Sequence, residues 1–286
     1  MTGLALALVL ASAGLHTTWN FLAKRIRAEA HDAWLFTALS AIIYAPLALG
    51  VIAVQRPVIG ARELLFMAGT AVLHTAYFLL LLGGYRAGGL SLVYPLARGT
   101  GPLLSTVAAI LLLGERPSPL ALTGASLIGI SIFVLTWSPR ASGGQGSSRA
   151  IVYALLTGGM IALYTLWDKY AVSAVGIHPI ILEWGGGIGR GLLLAPLAAA
   201  HWPSVRARLR THPREIVGVA VLSPLAYIMV LTALVFAPVS YVAPLREVSI
   251  LIGAVVGTRF LAEGDVTRRW SAAAVMACGV VLLSVG

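Results

Sequence analysis

Two arginines inside long apolar stretches are the residues of this sequence best placed to bind a charged ligand. Arg98 lies about nine residues into one stretch and Arg246 about seven into another, which at ~1.5 Å per helical residue puts each roughly 10–14 Å from the end of its helix. Burying a guanidinium in hydrocarbon costs at least ~2.5–3.5 kcal/mol, so each is expected to face a protein interior and to find a partner there. The pair suits the anionic group of a small solute.

The neighbours of these arginines allow a functional and a structural interpretation. In the functional one, Tyr94, one turn before Arg98, and Glu247, directly after Arg246, complete a binding site, because an ionisable residue inside a membrane is a functional candidate by default. In the structural one, both arginines bond backbone carbonyls or Glu247 and only hold helices together. We favour the functional interpretation.

Two further polar stripes run along helices. His16, Asn20 and Lys24 are spaced i, i+4, i+8 and share one helix face, and Tyr164 and Asp168 form a matching stripe later in the chain. His16 can titrate near neutral pH and Asp168 can hold a proton, which suits coupling to a proton gradient, and Asn20 and Tyr164 are candidates for substrate contact. The alternative is that Lys24 and the Asp168–Lys169 pair, near helix ends, only extend to the lipid headgroups.

These residues recur at a fixed offset, which indicates an internal duplication. His16 pairs with Tyr164, and Asn20 with Asp168, 148 positions apart. Three identities share the offset: Trp19 with Trp167, Arg98 with Arg246, and Glu115 with Glu263.

The composition places the helices that carry these residues in a membrane. With 59% hydrophobic and only 10% charged residues and a mean hydropathy of +0.92, the chain has too little polar surface to cover a water-soluble globule. Runs of ~20 apolar residues can span a bilayer as helices, which satisfy their own backbone groups, and the predicted fold class is therefore an all-α membrane protein. The ten predicted spans are Gly3–Ala23, Ala33–Val54, Leu64–Gly83, Gly89–Leu113, Pro119–Trp137, Ile151–Val172, Pro179–Ala200, Glu215–Phe236, Val239–Leu261 and Thr267–Val285.

Five spans per copy predict inverted repeats. We expect a first repeat over residues 1–138, a Gly/Ser-rich linker over 139–150 and a second repeat over 151–286. Because five is odd, the second copy enters the membrane from the opposite side, an arrangement that secondary transporters use to build two conformations around one central site.

The segment around Arg98 predicts an interrupted helix. Residues 94–102 contain Pro95 and Pro102, and each proline removes a backbone hydrogen bond. A break at mid-depth would free backbone dipoles for a ligand. Pro244 repeats the pattern in milder form before Arg246.

Other unusual residues fit structural roles. Glu183 and Arg190 flank the glycine-rich run from Gly185 to Gly189, whose small-residue spacing indicates close helix packing. Glu115 and Glu263 each end a predicted span, where a carboxylate would stabilise the N-terminus of the helix that follows in the chain.

The two five-span halves, the His16–Trp19–Asn20–Lys24 stripe and the Leu-Gly-Glu-Arg turn at Leu113–Arg116 resemble the EamA family of the drug/metabolite transporter superfamily. The corresponding turn at Leu261–Gly264 departs slightly, because it lacks the basic residue. The resemblance implies a ten-helix, multi-pass inner (plasma) membrane carrier for small metabolites, often an exporter, with a cavity lined by both halves. It also implies cytoplasmic termini, whereas the distribution of basic residues over the loops predicts both termini outside.

Together these observations predict a secondary-active, alternating-access transporter of a small polar metabolite, an organic anion or zwitterion, with no cofactor, no metal and no catalytic residue. Membrane lipids are the other expected partner, and a homodimer is left open. The net charge of +10 does not indicate nucleic-acid binding, because the arginines are scattered over loops. Two alternatives remain: a membrane-embedded enzyme acting on a lipid or isoprenoid, for which no convergent catalytic cluster is found, and a channel or scaffold.

Overall fold

The computed structural model describes residues 1–88, 90–136, 148–253 and 266–286, and every regular element in these ranges is a helix. The predicted all-α class is therefore confirmed for the described chain. The helices are α1 (Gly3–Arg25), α2 (Asp32–Gln55), α3 (Ala61–Ala87), α4 (Leu90–Leu113), α5 (Pro119–Thr136), α6 (Ser148–Tyr170, continued by a π-helical turn Ala171–Val175), α7 (Pro179–Ala200), α8 (Trp202–Thr211), α9 (Pro213–Phe236), α10 (Val239–Arg246) and α11 (Val266–Val285).

Seven helical stretches within the described residues are long and apolar enough to cross a membrane, which makes the chain a multi-pass membrane protein. Two more apolar helices, Pro119–Val134 and Trp270–Val285, are shorter. The seven stretches are Gly3–Arg25, Asp32–Gln55, Ala61–Ala87, Leu92–Leu112, Ser148–Val175, Pro179–Ala200 and Pro213–Phe236.

The predicted interruption of α4 is wrong. The helix runs from Leu90 to Leu113 across residues 94–102. A proline removes only one hydrogen bond, and hydroxyl side chains and neighbouring helices compensate such losses in a membrane. The hydroxyls of Thr100 and Thr106 are satisfied within the same helix, by the carbonyls of Leu96 at 2.6 Å and Pro102 at 2.9 Å.

The milder interruption predicted around Pro244 does occur, because the predicted span Val239–Leu261 is not continuous. Helix α10 ends at Arg246, Glu247 forms a turn, and the helix resumes over residues 248–253. The amide of Glu247 donates to the carbonyl of Pro244 at 3.1 Å, an i to i+3 bond tighter than that of an α-helix. The remainder of this predicted span, residues 254–261, and most of the linker, residues 139–147, lie outside the described residues.

The polar connection after α7 contains a helix that the sequence reading treated as a loop. Pro203 lies in the first turn of α8, a position where a proline is pre-organised for the helix. Arg208 of α8 donates to the carbonyl of Ile26 at 2.7 Å and lies 3.2 Å from Asp32. Helix α8 and the α1–α2 loop therefore lie at the same end of the bundle.

Close helix packing rests on glycines that face large side chains. A side chain at Gly69 of α3 would overlap the indole of Trp167 on α6, and one at Gly218 of α9 would contact the end of Leu22 on α1. The indole nitrogen of Trp167 also donates to the carbonyl of Phe66 at 3.0 Å. Helices α3 and α6, and likewise α1 and α9, are consequently in direct contact.

Candidate functional site

A cavity of about 510 Å³ lies between the helices, within the ~300–1,000 Å³ range of small-molecule sites. Its wall is contributed by helices from both halves of the sequence. The polar and aromatic residues of the wall include His16, Trp19, Asn20, His74, Thr75, Tyr77, Tyr85, Tyr94, Arg98, Tyr164, Glu183, Arg190, Ser223, Tyr227, Arg246 and Ser249.

The cavity extends to the surface at one end of the bundle. Its lining extends to Ala28 in the α1–α2 loop, and Ala28 is exposed. We call this end, which also holds α8, the open end. Arg25, Arg27, Arg206 and Arg210 are exposed there.

The opposite end, at the α9–α10 connection, is packed shut and is called the closed end. Its apolar core includes Val9, Ile181, Leu231, Leu234 and Val239, each at most 2% exposed. This core lies between the central cavity and a separate surface pocket lined by Glu115, Lys169 and Pro238.

Glu115 and Lys169 tie the closed end together. Glu115 accepts hydrogen bonds from the amides of Val239 at 2.7 Å and Ser240 at 2.9 Å, so it stabilises the N-terminus of α10. Glu115 was predicted to stabilise the N-terminus of the next helix in the chain, α5, and that partner is wrong. It bonds α10 instead, because α10 packs against α4 and α5 at this end. Glu263 lies outside the described residues.

Lys169 has a defined role at the same end, and does not simply extend to headgroups. Its ammonium donates to the carbonyls of Leu234 at 2.7 Å and Ala237 at 3.1 Å. A cation there satisfies the carbonyls that the end of α9 leaves without partners.

Arg98 of α4 is paired with Glu247, the residue at the helix break after α10. Their side chains lie 3.1 Å apart and are 8% and 4% exposed. Arg98 therefore agrees with both interpretations, because it lines the cavity and also holds α4 to the turn at Glu247 that follows α10. Tyr94 and Arg98 share this part of the wall.

Arg246, the equivalent arginine, has no ion-pair or hydrogen-bond partner among the described residues. Its guanidinium lies 5.3 Å from the centroid of the Tyr227 ring, a cation–π contact, and its side chain lines the cavity. It is consequently free to accept an anion.

A second internal ion pair belongs to α7. Arg190 donates to Glu183 at 2.5 Å, and both side chains line the cavity. The packing role predicted for the surrounding glycines agrees with the structure, since side chains at Gly185 and Gly189 would overlap Met67 and Ala71 of α3. The charged pair on the other face of α7 was not expected to reach the cavity.

Asp168 is fully buried behind the cavity wall. Its carboxylate accepts hydrogen bonds from the hydroxyls of Thr70 and Tyr227, each at 2.5 Å, and lies 2.8 Å from Nε2 of His74. This arrangement satisfies a buried charge with three partners. Tyr164 packs on the ring of His74, with centroids 4.3 Å apart.

On the opposite wall, α1 presents its polar stripe to the cavity. Asn20 is exposed and donates to the carbonyl of His16 at 2.7 Å. The imidazole of His16 packs edge-on against Trp19, with centroids 4.9 Å apart. The stripe predicted on α1 therefore faces the cavity, and Lys24 continues it toward the open end.

His74 and Tyr227 were missed by the sequence reading. Thr70, His74 and Tyr77 are spaced i, i+4, i+7 on α3, a polar stripe of the same kind as the one on α1, and this spacing could have identified them. Tyr227 stands alone in an apolar helix, and only the tertiary contacts reveal its role.

Comparisons with known proteins identify the first half of the chain. Residues 3–137 match the family model described as the EamA-like transporter family. The crystal structure of another protein is similar over 100% of this chain and 98% of that chain, with a TM-score of 0.78 and 16% sequence identity. This similarity concerns the fold alone. No curated protein matches the sequence significantly.

Proposed function

We propose a function from the premise that this chain belongs, through residues 3–137, to the EamA-like transporter family of the drug/metabolite transporter superfamily. The protein carries a small organic anion or zwitterion across the plasma membrane by alternating access. The cavity between the helices is the substrate site. The observation that carries the proposal is Arg246, a guanidinium that faces the cavity and forms no direct ion pair among the described residues.

The charges of the wall favour an anion over a cation. Arg98 and Arg190 each have a carboxylate partner, Glu247 and Glu183 respectively. Arg246 has only the face of Tyr227. A ligand carboxylate or phosphonate would supply the two-pronged acceptor that a guanidinium prefers, whereas a cation would meet an unpaired like charge.

The helix contacts support the inverted repeats over residues 1–138 and 151–286. At the offset of 148 residues, α1 corresponds to α6, α2 to α7, α3 to α9 and α5 to α11. Exchanging corresponding helices converts the α1–α9 contact into α6–α3, and the α3–α7 contact into α9–α2. All four contacts exist. The contacts α2–α7 and α5–α11 are converted into themselves. Such exchange symmetry is what a two-fold axis between the halves requires, and an odd number of spans per half would put that axis in the membrane plane.

One open end and one closed end correspond to one of the two states of an alternating-access cycle. More of the exposed arginines lie at the open end than at the closed end among the described residues, so by the positive-inside rule the open end faces the cytoplasm and both termini lie outside. This orientation is the reverse of what the family resemblance implies. A C-terminal alkaline phosphatase fusion would be active and a fluorescent protein fusion dark under this topology, and the opposite pair of results would reverse it.

A charge series on one ring tests the substrate class. The purified protein is heated in detergent with benzoate, phthalate, benzamide or benzylammonium, because a ligand that binds only the folded state raises the melting temperature. We expect stabilisation by benzoate and none by benzamide or benzylammonium. Any anion that stabilises the protein is then tested for counterflow uptake in proteoliposomes, which distinguishes a carrier from a channel or scaffold.

Arg246→Gln is the informative variant, with Arg62→Gln as the matched control. Arg62 is exposed at the start of α3, outside the cavity wall. Stabilisation by benzoate is expected to disappear in Arg246→Gln and to persist in Arg62→Gln. Equal stabilisation in both variants, or no stabilisation of the wild type by either anion, would contradict the proposed function.

A further inference from the structure

Asp168 and His74 lie side by side at the cavity wall. Neither is needed to bind an anion at Arg246, so their role is still to be explained. An ionised carboxylate can only accept hydrogen bonds, so Nε2 of His74, 2.8 Å from Asp168, carries the hydrogen. The other ring nitrogen, Nδ1, is then left with a free lone pair and has no hydrogen-bond partner among the described residues. His74 lines the cavity, where water can reach it.

The charged groups around the cavity balance one another before any ligand is bound. The described residues that line the cavity or contact its wall provide three guanidinium groups and three carboxylates. With neutral histidines the formal sum is zero. A monoanion that enters alone would therefore leave an uncompensated negative charge in a site of low dielectric constant, which is unfavourable. The six groups are Arg98, Arg190, Arg246, Glu183, Glu247 and Asp168.

Tyr227 connects the free arginine to this carboxylate. The guanidinium of Arg246 lies over the Tyr227 ring, and the hydroxyl of the same ring donates to Asp168. An anion bound at Arg246 would thus lie about one aromatic ring away from the Asp168 carboxylate. Two like charges at this separation repel each other, and a proton between them removes the repulsion.

The other polar groups around His74 and Asp168 come from seven helices. Thr70 of α3, Tyr164 of α6 and Tyr227 of α9 contact the two residues directly, and the groups of α1, α4, α7 and α10 belong to the same cavity wall. They are Thr70 and Tyr77 on α3, Tyr164 on α6, Tyr227 on α9, His16 on α1, Arg98 on α4, Glu183 and Arg190 on α7, and Arg246 on α10. Thr70 and the tyrosines act as neutral hydrogen-bonding or packing partners, so His74 and Asp168 are the pair whose net charge a single proton can change from −1 to 0.

We propose that His74 and Asp168 form a proton site that takes up one proton for each monoanion bound beside Arg246, an inference that rests on the transport function proposed above. The proton comes from water in the cavity and binds Nδ1 of His74, while the Nε2 hydrogen stays donated to Asp168. No covalent bond other than N–H forms or breaks. The anion and the proton then occupy the cavity together.

Proton uptake on binding measures this coupling directly. Detergent-solubilised protein in weakly buffered solution with a pH-indicator dye receives benzoate from a stock at the same pH, and the proton change is divided by the benzoate bound in a parallel equilibrium measurement. Benzoate stays ionised at near-neutral pH, so protons that disappear are taken up by the protein. We expect about one proton per bound benzoate, and an affinity that rises close to tenfold per unit decrease in pH over the range of uptake, as linkage requires.

His74→Gln and Asp168→Asn are the test variants, and His212→Gln is the control. His212 lies between α8 and α9, outside the cavity wall, and its variant is expected to behave as the wild type. His74→Gln and Asp168→Asn are each expected to bind benzoate without proton uptake and with an affinity that no longer changes with pH.

The outcomes separate this inference from the function on which it rests. Wild-type protein that binds benzoate without taking up protons overturns the proton site while the anion site stands, and this result requires no variant to fold. Proton uptake that persists in His74→Gln likewise overturns the assignment. Failure of the wild type to bind benzoate or phthalate at all counts against the proposed function instead.

Discussion

The two copies of the repeated sequence place equivalent polar residues in opposite surroundings. Asn20 on α1 is exposed and bonds only its own helix, whereas Asp168, 148 positions later, is fully buried with three partners. A charge can be tolerated in the second position because Thr70, His74 and Tyr227 surround it. Positions 148 residues apart thus have different neighbours, and only the second has the environment that a buried carboxylate needs.

The repeated arginines differ in the same way. Arg98 is neutralised by Glu247, while Arg246 meets only an aromatic ring. One copy therefore uses its arginine largely to join helices, and the other leaves it available to a ligand. If this comparison is correct, equivalent substitutions in the two halves should have unequal effects.

The largest difference is expected between Arg98→Ala and Arg246→Ala. Removing Arg98 leaves Glu247 buried without its counterion and should lower the free energy of unfolding by about 3–5 kcal/mol. Removing Arg246 strands no carboxylate and should cost less than about 1 kcal/mol while abolishing benzoate binding. Thermal unfolding in detergent measures both, and equal losses of stability would mean that the two arginines are not specialised.

Asp168→Ala and Asn20→Ala should differ somewhat less. Three donors lose their acceptor when Asp168 is truncated, and because His74 and Tyr227 can be rehydrated from the cavity we expect a loss of about 3 kcal/mol. Asn20→Ala removes an exposed side chain and should stay within about 0.5 kcal/mol. The same unfolding assay applies, and a comparable loss in Asn20→Ala would refute the contrast.

Gly69→Ala and Gly218→Ala compare the two equivalent helix contacts. The added methyl group at Gly69 meets the rigid, hydrogen-bonded indole of Trp167, and the overpacking should cost about 1–3 kcal/mol. At Gly218 it meets the flexible end of Leu22, so the cost should be under about 1 kcal/mol. Expression level and thermal unfolding provide the readout, with the reverse order counting against the packing described.

The smallest effect is expected for Glu115→Ala, which tests a contact between the halves. Loss of the carboxylate leaves the amides of Val239 and Ser240 without their acceptor, and should cost about 1 kcal/mol, as for other helix caps. Arg116→Ala, at the exposed neighbouring residue, is the control and should be neutral. If the two variants unfold at the same temperature, Glu115 does not stabilise the closed end.

Much of the architecture was predictable because lipid leaves few options for a backbone. The apolar runs that become α1, α2, α7 and α9 were located within a few residues, and the helical class followed from the need to satisfy backbone groups internally. The offset of 148 positions also singled out Arg98 and Arg246, both of which line the cavity. The ten spans and the inverted repeats remain a prediction.

What could not be predicted depends on contacts between distant segments. Prolines predicted a break in α4 and a milder one before Arg246, and only the second occurs, at Glu247; that its carboxylate reaches Arg98 of another helix could not be predicted. Glu115 was expected to serve its own neighbourhood and reaches α10 instead. Tyr227 has no sequence pattern around it, and its importance follows only from the positions of Asp168 and Arg246.

The equal number of guanidinium and carboxylate groups around the cavity has an electrical consequence. A site whose own charges sum to zero among the described residues contributes no gating charge when it changes the side to which it opens, so membrane voltage acts only on the cargo. One elementary charge moved across 100 mV is worth about 2.3 kcal/mol. A monoanion carried alone would be expelled by a negative cell interior, whereas one accompanied by a proton would be indifferent to voltage and would respond only to the pH difference and to its own concentration difference.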